Sequence, residues 1–106
     1  MTDKQLLLTT APNREEAETI ASELVSRKLA ACVNLLGPVS SIYRWQGEVE
    51  RSEEVLLLIK STRENVPAIE QTIRELHSYE IPELMAFNVE SGLDSYLGWI
   101  AASVRK

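Results

Sequence analysis

The sequence predicts an α+β fold: a four-stranded antiparallel sheet backed by two helices, with a third helix near the C-terminus. Three observations carry this. Short aliphatic runs (Leu6–Leu8, Ala31–Leu36, Val55–Ile59, Leu84–Val89) alternate with segments whose apolar residues recur every three or four positions. Turn signals at Ala11-Pro12-Asn13, Gln46-Gly47 and Ser91-Gly92 separate them. The second and third strands follow one another directly around Gln46-Gly47, so two βαβ halves are joined by a long hairpin. The order is β-α-β-β-α-β-α. With right-handed crossovers this is the split β-α-β, or ferredoxin-like, sandwich. At 106 residues the chain is one domain, 1–106.

Each element has a local reason. The first strand is Leu6-Leu7-Leu8 continued by Thr9-Thr10, and Ala11-Pro12-Asn13 breaks it. Asn13 suits an N-cap and Glu16, three residues on, completes a capping box. Ala17, Ile20, Ala21, Leu24 and Val25 then form one helical stripe, predicting a helix over 14–28. A second strand over 31–36 is ended or bent by Gly37-Pro38, and a β-rich run resumes from Val39 to Trp45. The third strand, 48–60, is polar first and then solidly apolar at Val55–Ile59. Ser61 and Glu64 predict a second capping box, opening a helix marked by Val66, Ile69, Ile73 and Leu76, with Pro67 in its first turn. Residues 77–82 read as a loop and 84–89 as the fourth strand. The last helix carries Leu93, Tyr96, Leu97, Ile100, Ala101 and Val104.

Two features predict more than a monomer. In the third strand, Leu56 and Leu58 point opposite to Val55, Leu57 and Ile59, so both sheet faces need cover. Two helices cover one face; the last helix or another copy must cover the other. The third strand is also long. At ~3.3 Å per residue its 13 residues reach about 43 Å, against a diameter near ~33 Å for a compact domain of this size. The hairpin tip, Tyr43–Val49, should therefore overhang, with Tyr43, Trp45 and Val49 buried by a neighbouring copy.

Composition narrows the function. Eleven Lys and Arg against sixteen Asp and Glu give a net charge of -5 and a pI near 4.9. That argues against nucleic-acid and anionic-membrane partners, both polyanions. One cysteine, Cys32, excludes an intramolecular disulfide and a multi-cysteine zinc or iron–sulfur site. No signal peptide is readable and the longest apolar run is five residues, so a cytoplasmic protein is expected. A single histidine leaves little acid–base equipment at neutral pH, and no enzyme activity is expected. His77 with Asp3 or Asp94 lacks any marked nucleophile for a triad. The third strand has no stacking aromatics for RNA. The loop Thr9–Asn13 has no paired thiols for Cu(I).

Six segments, in order, carry a resemblance: Thr9-Thr10-Ala11-Pro12, Lys28–Asn34, Ser41–Glu48, Ile59–Thr62, His77–Leu84 and Tyr96–Trp99. Together they resemble the CutA (CutA1) family of divalent-cation tolerance proteins over essentially the whole chain. The resemblance implies a ferredoxin-like fold, a homotrimer similar to PII signalling proteins with the long hairpins joining subunits, and a link to divalent metals, chiefly copper. Two positions depart from the family. Thr9 stands where some members carry a cysteine linked to copper, and Leu76-His77 stands where some carry a His-His pair. A thiolate-plus-two-histidine site therefore does not carry over.

Candidate residues follow. His77 with Glu80 and Glu83 offers imidazole and carboxylates suited to Cu(II) or another divalent metal, against a surface histidine at a helix C-terminus. No cofactor is required. Cys32 reads as a small buried hydrophobe first and a soft ligand second. Lys60, ending the apolar run, is expected to pair with Glu83; with Tyr79 and Cys32 it marks a candidate ligand cleft between subunits. Trp99 is expected in the core or an interface. The carboxylates Glu48, Glu50, Glu53 and Glu54 read as a solvated strand resisting edge pairing. The alternatives to a tolerance protein are a PII-like small-molecule sensor and a trimeric scaffold for a partner protein.

Overall fold

A computed structural model describes residues 2–106. The elements are β1 (Lys4–Ala11), α1 (Arg14–Ser26), β2 (Cys32–Trp45), β3 (Glu48–Thr62), a 3-10 turn (Arg63–Asn65), α2 (Val66–Leu76), β4 (Met85–Asn88) and α3 (Asp94–Ser103). The sheet is antiparallel in the order β2-β3-β1-β4, as the split β-α-β reading requires. The core lies between one sheet face and α1 and α2. Leu7, Leu57 and Ile59 from the strands meet Ile20, Leu24, Ile69 and Ile73 from the helices.

The hairpin overhangs as predicted. β1 stops at Ala11, opposite Val55, while β2 and β3 stay paired as far as Trp45 and Glu48. Residues 48–54 of β3 thus pair with β2 alone, and the molecule measures 44 × 25 × 22 Å. Gln46 (φ 50°) and Gly47 (φ 83°) close the ribbon as a two-residue left-handed turn, whose twist matches that of the strands. The segments flanking Gly37-Pro38 form one bulged strand: the register slips between Leu36 and Val39. A Cβ on Gly37 would lie 3.2 Å from both Glu54 O and Val55 Cα, so the bulge sits tight against the backbone of β3.

Several local expectations shift. Asn13 caps α1 through a 2.8 Å bond from the Glu16 N–H to its Oδ1, but the Glu16 carboxylate does not return to Asn13. It accepts from Ser78 N and Oγ instead. Val25 is 42% exposed, because eight residues at 100° leave it about 80° off the direction of Ala17. The second capping box is absent. β3 runs on to Thr62, and Ser61 Oγ turns inward to the buried Leu29 carbonyl.

α1 ends at Ser26 rather than 28. Lys28 N–H donates to Val25 O and Leu29 N–H to Leu24 O, with Lys28 at φ 60°, a Schellman cap that glycine usually fills. Replacing Lys28 with glycine should therefore raise stability by about 0.5–1 kcal/mol, read as a higher guanidinium midpoint at unchanged slope.

The second sheet face is apolar too. Strand register places Cys32, Lys60, Leu6 and Phe87 in one row across it and Asn34, Leu58, Leu8 and Met85 in the next. α3 packs on β3 and β1, and Ile100 and the following Val104 are buried outside the α1/α2 core. It leaves Met85 50% and Phe87 47% exposed. Trp99 is not in the core; it is exposed and stacks on Tyr96 at 5.6 Å.

Candidate functional site

α2 decides where the site forms. Its eleven residues, about 16 Å at 1.5 Å each, carry the chain back from the Thr62 end of β3 to the end where β1 stops. The segment 77–84 therefore lands beside Thr9, Thr10 and the base of the ribbon. Thr9 Oγ1 donates to Glu83 O at 2.6 Å, and Thr10 Oγ1 lies 3.4 Å from Glu83 Oε1.

His77 is the pivot of this segment. Its side chain is fully buried. The Tyr79 N–H donates to Nδ1 at 3.0 Å, which leaves the ring proton on Nε2, donating to Thr10 O at 2.6 Å. Both ring nitrogens are thus engaged. The sequence expectation of a surface imidazole open to metal is corrected: His77 ties the loop to the end of β1. Among the described residues no group of three His, Cys, Asp or Glu could hold a metal ion. His77, Glu80 and Glu83 therefore do not form a three-donor centre within the chain.

Beside this knot lies a cavity of about 610 Å³. One wall is the ribbon, with Ile42, Tyr43 and Trp45; the other is the loop, with Tyr79, Glu80, Ile81 and Glu83. Glu54 lies between them. It is only 7% exposed, unlike the rest of the acidic strand with which the sequence groups it. Tyr79 Oη donates to Glu54 Oε2 at 2.8 Å. Burial, together with that carboxylate, pushes the Tyr79 phenol well above the usual tyrosine range, so it stays a donor. Among the described residues no Lys, Arg or His lines the cavity, and Glu54 has no ion-pair partner.

Of the two sets the sequence offered, Tyr79 from one and Glu80 and Glu83 from the other line this cavity, while His77, Lys60 and Cys32 do not. Lys60 pairs across the sheet with Cys32 and Leu6, four residues along the strand from the Leu56–Thr10 pair at the cavity end. Its Nζ bonds Asn34 Oδ1 and lies 3.8 Å from the half-buried Cys32 Sγ, and no ion pair with Glu83 forms. The reason is the length of α2, which separates the start of β4 from the end of β3 by the whole strand. Tyr43, Trp45 and Val49 are exposed on the ribbon as expected. Glu54 and Ile81 are the residues sequence reading missed. The available signal was Glu54 standing directly before Val55–Ile59, where strand pairing still continues on both sides.

Similarity to known proteins agrees with this architecture. The family model described as "CutA1 divalent ion tolerance protein" matches residues 5–103. A "Divalent-cation tolerance protein CutA" from Thermus thermophilus is 43% identical over 97 residues, covering 92% of this chain and 94% of that protein. "Protein CutA" of Homo sapiens is 44% identical over 86% of this chain, which spans about half (51%) of that longer relative. The crystal structure of CutA from Xylella fastidiosa superposes with a TM-score of 0.96 at 40% identity, covering 98% of this chain and all of that one. No described helix is long and apolar enough to cross a membrane. With the family model matched over residues 5–103 and relatives this similar over nearly its full length, the chain belongs to the CutA1 family of divalent ion tolerance proteins.

Proposed function

We propose that this chain works as a homotrimer of the CutA type, in the cytoplasm and without catalysis, in tolerance of divalent cations. The observation that carries the assembly is the uncovered apolar surface. Met85, Phe87 and Leu36 on the open sheet face, and Ile42, Tyr43, Trp45 and Val49 on a two-stranded ribbon, are all exposed in the single chain. Patches of this kind mark interfaces, and an isolated ribbon is marginal in water. In a closed ring of three, each neighbouring copy supplies complementary apolar surface from a different patch of the same chain. The number three follows the resemblance to PII-like trimers, and the tolerance role follows the names of the relatives.

Because both nitrogens of His77 are engaged and no group of three metal donors forms among the described residues, the proposal contains no metal-dependent step. A second reading, a small-molecule sensor, is favoured by the cavity between ribbon and loop. Sedimentation equilibrium tests the assembly: three copies of 11.9 kDa give about 36 kDa. A single-chain mass at micromolar concentration would overturn it.

A further inference from the structure

We infer that the cavity at the base of the ribbon binds an aliphatic di- or polyamine. This goes beyond the trimer and the tolerance role, and rests on neither: Glu54, Glu80 and Glu83 all come from one chain.

Charge is the first argument. Three carboxylates and no cationic side chain line the cavity among the described residues. Glu54 is more than nine-tenths buried, and a buried carboxylate without a cation is costly. Its Oε2 accepts from Tyr79, and Glu54 lines the cavity. An anionic ligand such as a nucleotide would be repelled here. A cation is wanted.

Geometry chooses the kind of cation. The carboxylates share one cavity without forming a three-ligand group around one point, as a metal ion requires. Their spread suits a ligand whose charges are separated along a chain. Ile42 and Ile81 offer apolar surface for methylene groups. Tyr79, kept protonated, holds Glu54 as an acceptor aimed at the incoming ammonium. A neighbouring copy seated on the ribbon would close the open side.

The test is calorimetric titration of the purified full-length protein with spermidine, beside AMP and Mg²⁺, with light scattering on the same samples. Saturable spermidine binding is expected, with no heat from AMP and no full competition by Mg²⁺. Glu54→Gln should weaken it about tenfold or more, Glu83→Gln should also weaken it, and Glu64→Gln, on the exposed 3-10 turn, should not. Should Glu54→Gln fail to fold, Glu83→Gln and Glu80→Gln carry the test. No saturable spermidine heat, full competition by Mg²⁺, or equal weakening by Glu64→Gln would overturn the inference. So would loss of the oligomer on Glu54→Gln, which would make the occupant a cation of the neighbouring copy. The wild-type mass read in the same samples separates failure of this inference from failure of the trimer.

Discussion

Tyr43→Glu together with Trp45→Glu should turn the assembly into a monomer of 11.9 kDa that still folds. Both side chains stand on the ribbon beyond the end of β1, and neither belongs to the α1/α2 core. Their loss leaves the strands, helices and core of the single chain intact, so circular dichroism should change little. In the proposed trimer the same positions are the aromatic anchors of the interface, and aromatic anchors carry much of the binding energy in such surfaces. Burying two unpaired carboxylates per chain there should cost at least about 4 kcal/mol, close to a thousandfold in association. Light scattering across a concentration series reads the effect. Persistence of the wild-type mass would show that the ribbon is not the joint.

His77→Ala should cost about 3 kcal/mol of stability without changing copper affinity. The imidazole is fully buried and holds two backbone groups that no other side chain reaches, Thr10 O and Tyr79 N–H. Truncation leaves both without partners and opens a void beneath the loop, and each effect costs on the order of 1–3 kcal/mol. Tyr79 is then freed, so the Tyr79–Glu54 bond should weaken with it. Chemical denaturation measures the first part, and Cu(II) titration of wild type and variant measures the second. A fall in copper binding with stability unchanged would restore His77 as a ligand.

Both expectations rest on features that the sequence shows unequally. The ribbon was legible. The strand was too long for the domain, its turn was Gln46-Gly47, and its aromatics sat at the tip. These are one-dimensional properties: length, period and turn chemistry survive without knowledge of partners. The two-sided apolar sheet was legible for the same reason, because alternation along a strand fixes the faces. Asn13 as a cap was legible because its partner is only three residues away.

The site was not. Glu54 is one of four glutamates within residues 48–54, and only contact with Tyr79, 25 residues on, sets it apart. His77 could not be told from a surface imidazole until Thr10, 67 residues earlier, was placed at its Nε2. Glu16 was expected to close a local box and instead holds Ser78, 62 residues on. Lys60 was expected beside Glu83 and lies at the far end of the sheet.

The strand and helix order, the faces of the sheet and the overhanging ribbon all follow from spacing along the chain. The tertiary structure alone decided that His77 is a tether, that Glu54 is buried, and that the carboxylates surround a cavity while Lys60 does not. Those outcomes depend on which end of the sheet α2 returns the chain to. That is fixed by packing in three dimensions, where residues far apart in sequence become neighbours.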